Sequence, residues 1–93
     1  MLLKILRVHG HSMQPKIKDG QKVLISNIPY MFSAPKKDDV VVFKLKNKAF
    51  LKRIVKVKDE KYFLEGDNKI DSLDSKKLGA FGRKTIIAKA LWY

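Results

Sequence analysis

The sequence predicts a mostly β protein, a small coiled β fold with one layer wrapped on another and little or no helix. Two observations carry that expectation. Six short runs rich in β-branched and aromatic residues follow one another, and turn-forming residues separate them. Length sets the scale: 93 residues leave room for one domain spanning 1–93, with a thin core, since so short a chain buries only about 60% of its unfolded surface. The apolar content of 45% still argues for a folded chain over a disordered one.

The elements follow in order. Leu2–Val8 and Lys22–Ser26 read as strands, separated by a turn-prone stretch that contains Pro15, Asp19 and Gly20. Pro29 and Pro35 bracket a loop. Val40–Leu45 is the clearest strand, and Lys46-Asn47-Lys48 turns it into a hairpin with Phe50–Val57. Lys58-Asp59-Glu60 turns again into Tyr62–Leu64. A polar loop runs from Gly66 to about Leu78, with a helical turn near its end, and Thr85–Leu91 closes the fold.

Composition narrows the chemistry. Cysteine is absent, which excludes disulfides and thiolate metal sites. Two histidines without clustered partners make a weak metal site, so no metal and no cofactor is expected. The N-terminal Met1–Val8 carries two charges in eight residues. A spanning helix needs about 20 apolar residues and a signal-peptide core about 7–15. The expectation is a soluble cytoplasmic protein or one held at a membrane by its surface. The net charge is +12, and lysines make up 18 of the 21 basic residues. A solvated lysine-rich surface explains it, and so does attraction to anionic lipid or nucleic acid.

Three segments could do chemistry. In Val8-His9-Gly10-His11-Ser12-Met13-Gln14-Pro15, Gly10 lets the chain bend near a substrate and Pro15 stiffens the exit. A serine hydroxyl there needs a base before it can attack. If the segment is extended, His11 points to the opposite face from Ser12, and both His9 and His11 read as incidental. Alternation in Phe50-Leu51-Lys52-Arg53-Ile54 puts Lys52 on an apolar face between Phe50 and Ile54. Desolvation disfavours an ammonium and lowers its pKa, and enzymes tune such lysines to roughly 7–8 for general-base work. A lysine whose stem packs on the strand while its head reaches water fits the same pattern. The third segment, Gly66 to Ser75, is dense in Asx and hydroxyl residues able to tie a loop together.

Together, and in this order, these segments resemble the signal peptidase I family. Val8-x-Gly10-x-Ser12-Met13-x-Pro15 is similar to its nucleophile box and Phe50-Leu51-Lys52-Arg53-Ile54-Val55 to its lysine box. Gly66-Asp67-Asn68 through Asp71-Ser72-x-Asp74-Ser75 resembles its late box. The resemblance implies the small β catalytic core of signal peptidases and LexA-like proteins. It implies a Ser/Lys dyad with Ser12 as nucleophile and Lys52 as base, Ser72 orienting the lysine amine, Asp74 bracing the loop and Met13 at the substrate. It further implies a polypeptide substrate whose N-terminal leader or propeptide is removed after a small residue, as the small maturation proteases of nickel superoxide dismutase do. Gly10 stands where some members carry a serine donor, and the short interval from Arg53 to Gly66 leaves no room for the accessory β-domain of larger members. A self-cleaving peptidase like LexA/UmuD is the near alternative. The distant one is a basic β-barrel that stacks nucleic-acid bases on Tyr30, Phe32, Tyr62, Phe63 and Trp92; most of these belong in a core this small, which disfavours it.

Overall fold

The structure, a computed structural model, describes residues 3–67 and 80–93. Among the described residues seven strands form one antiparallel sheet in the order β1-β2-β7-β3-β4-β5-β6. They are β1 Lys4–Arg7, β2 Lys22–Ser26, β3 Val40–Leu45, β4 Lys48–Lys58, β5 Lys61–Glu65, β6 Phe81–Gly82 and β7 Ile86–Trp92. The mostly β expectation holds, with every expected strand within a few residues of its place. Two short elements depart from it. One helical turn, α1 (Pro29–Phe32), sits inside the proline-bracketed loop, and a 3-10 turn covers Arg83–Thr85. The extra strand β6 is two residues long, too short for alternation to reveal; it exists because Phe81 pairs with Tyr62 and reaches the core. The helical turn expected near Leu78 lies outside the described residues.

Alternation along β3 organises the interior. Val40 and Val42 face one apolar cluster with Val8, Met13, Ile17, Val23, Ile25, Leu51, Ala88 and Ala90. Val41 and Phe43 face the other, with Ile54, Tyr62, Leu64, Phe81 and Ile86. One sheet therefore carries a core on each side, and Phe43 anchors the second by stacking on Phe50 and tilting against Phe81, with ring centroids 5.3 and 5.0 Å apart. Register shifts at Leu24/Ile25, Val42/Phe43 and Ile54/Lys56 bend the sheet, as bulges do. Both expected hairpin turns form. Lys46-Asn47 and Asp59-Glu60 take positive φ at both central positions, the twist-matched geometry of two-residue hairpins.

A polar network fastens α1 to the sheet. The Tyr30 hydroxyl donates to Asp39 Oδ2 at 2.7 Å, and the Lys36 amide donates to the same oxygen at 3.1 Å. Lys89 Nζ lies 3.5 Å from Asp39 Oδ1, and the Arg83 guanidinium stacks 5.4 Å from the Tyr30 ring centroid. Burial raises the Tyr30 pKa far above its usual 10.0, and the bond and charge of Asp39 raise it further. The folded state thus keeps a proton that the unfolded chain releases near pH 10. Stability from this group is complete below pH 10 and fades as pH rises beyond it. Tyr30→Phe should cost about 1–2 kcal/mol near neutral pH. Urea melts at pH 8 and pH 11 should show a smaller alkaline loss in Tyr30→Phe than in wild type.

Candidate active site

Residues 8–21 close into a loop whose ends are stapled together. The Val8 amide donates to Gln21 O at 2.9 Å and the Gly20 amide to Val8 O at 2.8 Å. Met13 and Ile17, 1% and 0% exposed, plug the loop into the first core. Between these fixed points Ser12 sits partly buried in a tight turn rather than an extended segment, so strand alternation does not govern the histidines. His11 Nδ1 lies 3.0 Å from Gln14 Nε2. Neither the Ser12 amide nor its hydroxyl makes a hydrogen bond among the described residues.

Ser12 lines a groove of ≈ 190 Å³. Leu6, Arg7, Val8 and His9 form one wall with it, and Ala49, Phe50 and Leu51 form the other. Consecutive strand residues point to opposite faces, so a wall of consecutive residues is a strand edge, not a sheet face. The groove therefore runs between the outer edge of β1 and the first half of β4. Pairing explains why both edges are open. Among the described residues β1 bonds only β2, and β4 bonds β3 through Lys48–Arg53 but reaches β5 only from Arg53 onward.

Lys52 follows directly on the groove wall. It lies opposite Val41 in the register, between Phe50 and Ile54, and is 2% exposed. Its head does not reach water along the surface: among the described residues it is the one buried charged side chain. The next residue, Arg53, forks onto Asp67 through Nε and Nη2 at 2.9 Å each, while Nη1 donates to Asp38 O at 2.9 Å. The bond to Asp67 holds the Arg53 pKa above its ordinary value although burial pulls it down, with Tyr93 contributing less. Arg53 thereby pins the start of the late segment beside β4.

The structure thus brings Ser12 to a groove whose far wall leads into Lys52. Among the described residues no hydrogen bond joins Ser12 to Lys52. Ser72 and Asp74 lie outside the described residues. Met13, expected at the substrate, is instead a core anchor and does not line the groove, because its side chain is what moors the loop. His9, set aside from the sequence, lines the groove; only the loop closure that folds residue 9 beside Ser12 reveals it. Among the described residues no cluster of three His, Cys, Asp or Glu side chains could hold a metal.

A sheet of this kind with a serine at an open groove and a buried lysine on the adjoining strand suits a hydrolytic site, and comparison gives it a family. A family model described as Peptidase S24-like matches residues 2–91. The chain belongs to that peptidase family. Signal peptidase IB of Staphylococcus aureus, strains Mu50 and N315, is 36% identical over 61 residues, 64% of this chain. The strain COL protein of the same name is 34% identical over 61 residues. The alignment spans 32% of these relatives' length. No helix among the described residues is long and apolar enough to cross a membrane.

The Arg53–Asp67 fork should be worth more than a surface pair, since both side chains are under a fifth exposed. Arg53→Ala should lower stability by about 1.5–3 kcal/mol in urea melts. Arg53→Lys should recover only part of it, because an ammonium cannot form the two parallel bonds.

Proposed function

We propose that the chain is a serine endopeptidase in which Ser12 attacks the scissile carbonyl and Lys52, neutral, takes the serine proton. The observation that carries this reading is the burial of Lys52 at 2% exposure on the strand that walls the Ser12 groove. Burial by itself disfavours the ammonium, which is the condition for a lysine to act as base. After attack the Ser12 ester forms, the amine leaves with the proton Lys52 took, and water then releases the acid by the same base. The unbonded Ser12 amide is available to the developing oxyanion, a donor whose loss typically costs about 2.7–4 kcal/mol. Ser72, orienting the lysine amine, and Asp74, bracing its loop, complete the proposed site.

The substrate would lie extended between the β1 and β4 edges, bonded through its main chain on both sides. The relatives' name, signal peptidase, favours removal of an N-terminal leader, and the family resemblance adds cleavage after a small residue. Cleavage of a second copy of this chain is the competing outcome, as in the self-cleaving LexA/UmuD peptidases.

A peripheral contact with anionic membrane belongs to the same reading. Ile5, Leu24 and Trp92 stand directly opposite one another across β1, β2 and β7, on the face turned away from the first core. Leu3 extends this row along β1, and Leu3, Ile5 and Trp92 are 60–68% exposed. The adjoining cross-strand pair is Arg7 and Lys22, two cations face to face. Apolar side chains with a tryptophan, edged by basic ones, suit an anionic bilayer surface. Two copies carrying +12 each would repel across such a face. Of the five aromatics expected mostly in the core only Tyr62 is buried, while Phe32 and Trp92 are exposed; nucleic acid is disfavoured because Tyr62 and the Asp39-bonded Tyr30 are taken from any stacking platform.

Cleavage of a peptide library rich in small residues tests the dyad. Ser12→Ala and Lys52→Met should each lose at least about 10³-fold in kcat/KM, and the wild-type rate should climb with pH as the lysine loses its proton. Lys52→Met replaces the amine with an apolar side chain of similar shape, and urea melts separate lost chemistry from lost fold. Wild-type turnover and pH profile in Lys52→Met would remove the proposed base. For the membrane contact, Trp92 is the sole tryptophan, so its fluorescence should shift to the blue with phosphatidylglycerol vesicles and not with phosphatidylcholine alone. Ile5→Ser should weaken that binding several-fold, and an unchanged spectrum in both lipids would dismiss the contact.

A further inference from the structure

The turn leading to Ser12 contains a glycine tied by a single side-chain hydrogen bond. Gly10, two residues before Ser12, has φ +102°, and an added Cβ would meet no atom within 4 Å. Glycine is needed there for its backbone angle, not for room. The space where a side chain would stand is open, and a glycine in this region has many conformations to choose from. Among the described residues Gly10 makes one hydrogen bond: its amide donates to Asp19 Oδ1 at 2.8 Å.

Asp19 is itself firmly placed. It sits in a turn closed by the Gln21 amide on Lys18 O at 3.0 Å, with the Lys18 amide returning to Gln21 Oε1 at 3.0 Å. The neighbouring Gly20 takes φ +84°, bonds back to Val8 O, and accepts Arg7 Nη1 on its carbonyl at 2.9 Å. The carboxylate therefore spans the neck of the loop from a rigid turn to its softest peptide. Two peptide units further on are the Ser12 amide and hydroxyl.

We propose that Asp19 is a positioning residue for catalysis: by holding the Gly10 peptide it sets the direction in which the Ser12 amide and hydroxyl face the groove. The inference rests on Ser12 being the nucleophile. A charged acceptor gives a short, strong bond to a backbone N–H, and a misplacement of about 1 Å at a reacting group costs on the order of 10²-fold in rate. Met13 and Ile17 keep the loop docked without Asp19, so its loss should loosen the turn rather than unfold the protein. Substrate held mainly by the two strand edges would still bind.

The test is steady-state kinetics on a cleaved peptide with Asp19→Ala and Asp19→Asn, alongside urea melts and amide hydrogen exchange of Gly10. Asp19→Ala should lower kcat about 10- to 100-fold with KM changed less than about twofold, and should remove protection of the Gly10 amide. Asp19→Asn keeps an acceptor at the same place and should stay within about threefold of wild type while preserving that protection. The proposal is overturned if Asp19→Ala keeps its kcat, if Asp19→Asn is as impaired as Asp19→Ala, or if lost activity merely tracks the unfolded fraction. A wild type that cleaves no peptide is a different failure, since it removes the nucleophile reading before Asp19 is considered.

Discussion

The site depends on how β4 changes partners. Up to Arg53 the strand is paired with β3, and from Arg53 onward with β5. The handover leaves a bare edge over its first half. That edge is one wall of the groove, and Lys52 is the last residue before β5 takes over. Had β5 been long enough to pair with all of β4, the groove would be filled by sheet. Arg53 marks the junction, and its guanidinium fastens Asp67, two residues beyond the end of β5.

The other wall depends on a loop rather than a strand. Residues 8–21 are held by what they bury, Met13 and Ile17, and by how their ends are tied. Such a mooring leaves the middle of the loop free to take backbone angles that a strand forbids. Gly10 and Gly20 use that freedom at positive φ. Ser12 is then presented on a sharp turn at the groove, where an extended segment would have offered alternate side chains to alternate faces. The two walls solve the same problem differently: β4 exposes an edge by lacking a partner, and the loop exposes a side chain by bending.

Much of this is legible in the sequence, and the reasons differ by element. The run Val40–Phe43 announces a strand buried on both faces, and it is the strand that feeds both cores. The apolar flanks of Lys52 foretell its burial because period-two alternation is local information. Met13 cannot be placed so, because whether a side chain beside a nucleophile meets substrate or core depends on which way the turn folds. His9 is set aside because it would need a tight turn to come beside Ser12, and a turn is what the loop forms. Asp19 reads only as a turn former; its bond to Gly10 spans nine residues and becomes visible once the loop is closed. The brief elements α1 and β6 owe their existence to Tyr30 and Phe81 docking in the second core, which no local pattern encodes.

The arrangement of charge completes the account. Three of the acids fasten something: Asp19 the Gly10 turn, Asp39 the α1 loop and Asp67 the side chain of Arg53. The lysines that remain at the surface give the molecule its excess of positive charge, and a lysine is ordinarily comfortable there. Among the described residues Lys52 is the exception: it lies opposite Val41, between Phe50 and Ile54 along β4, and is 2% exposed. A 93-residue protein with a thin core has little stability to spare. A buried lysine beside the edge that β4 leaves open is the feature that the proposed chemistry would use.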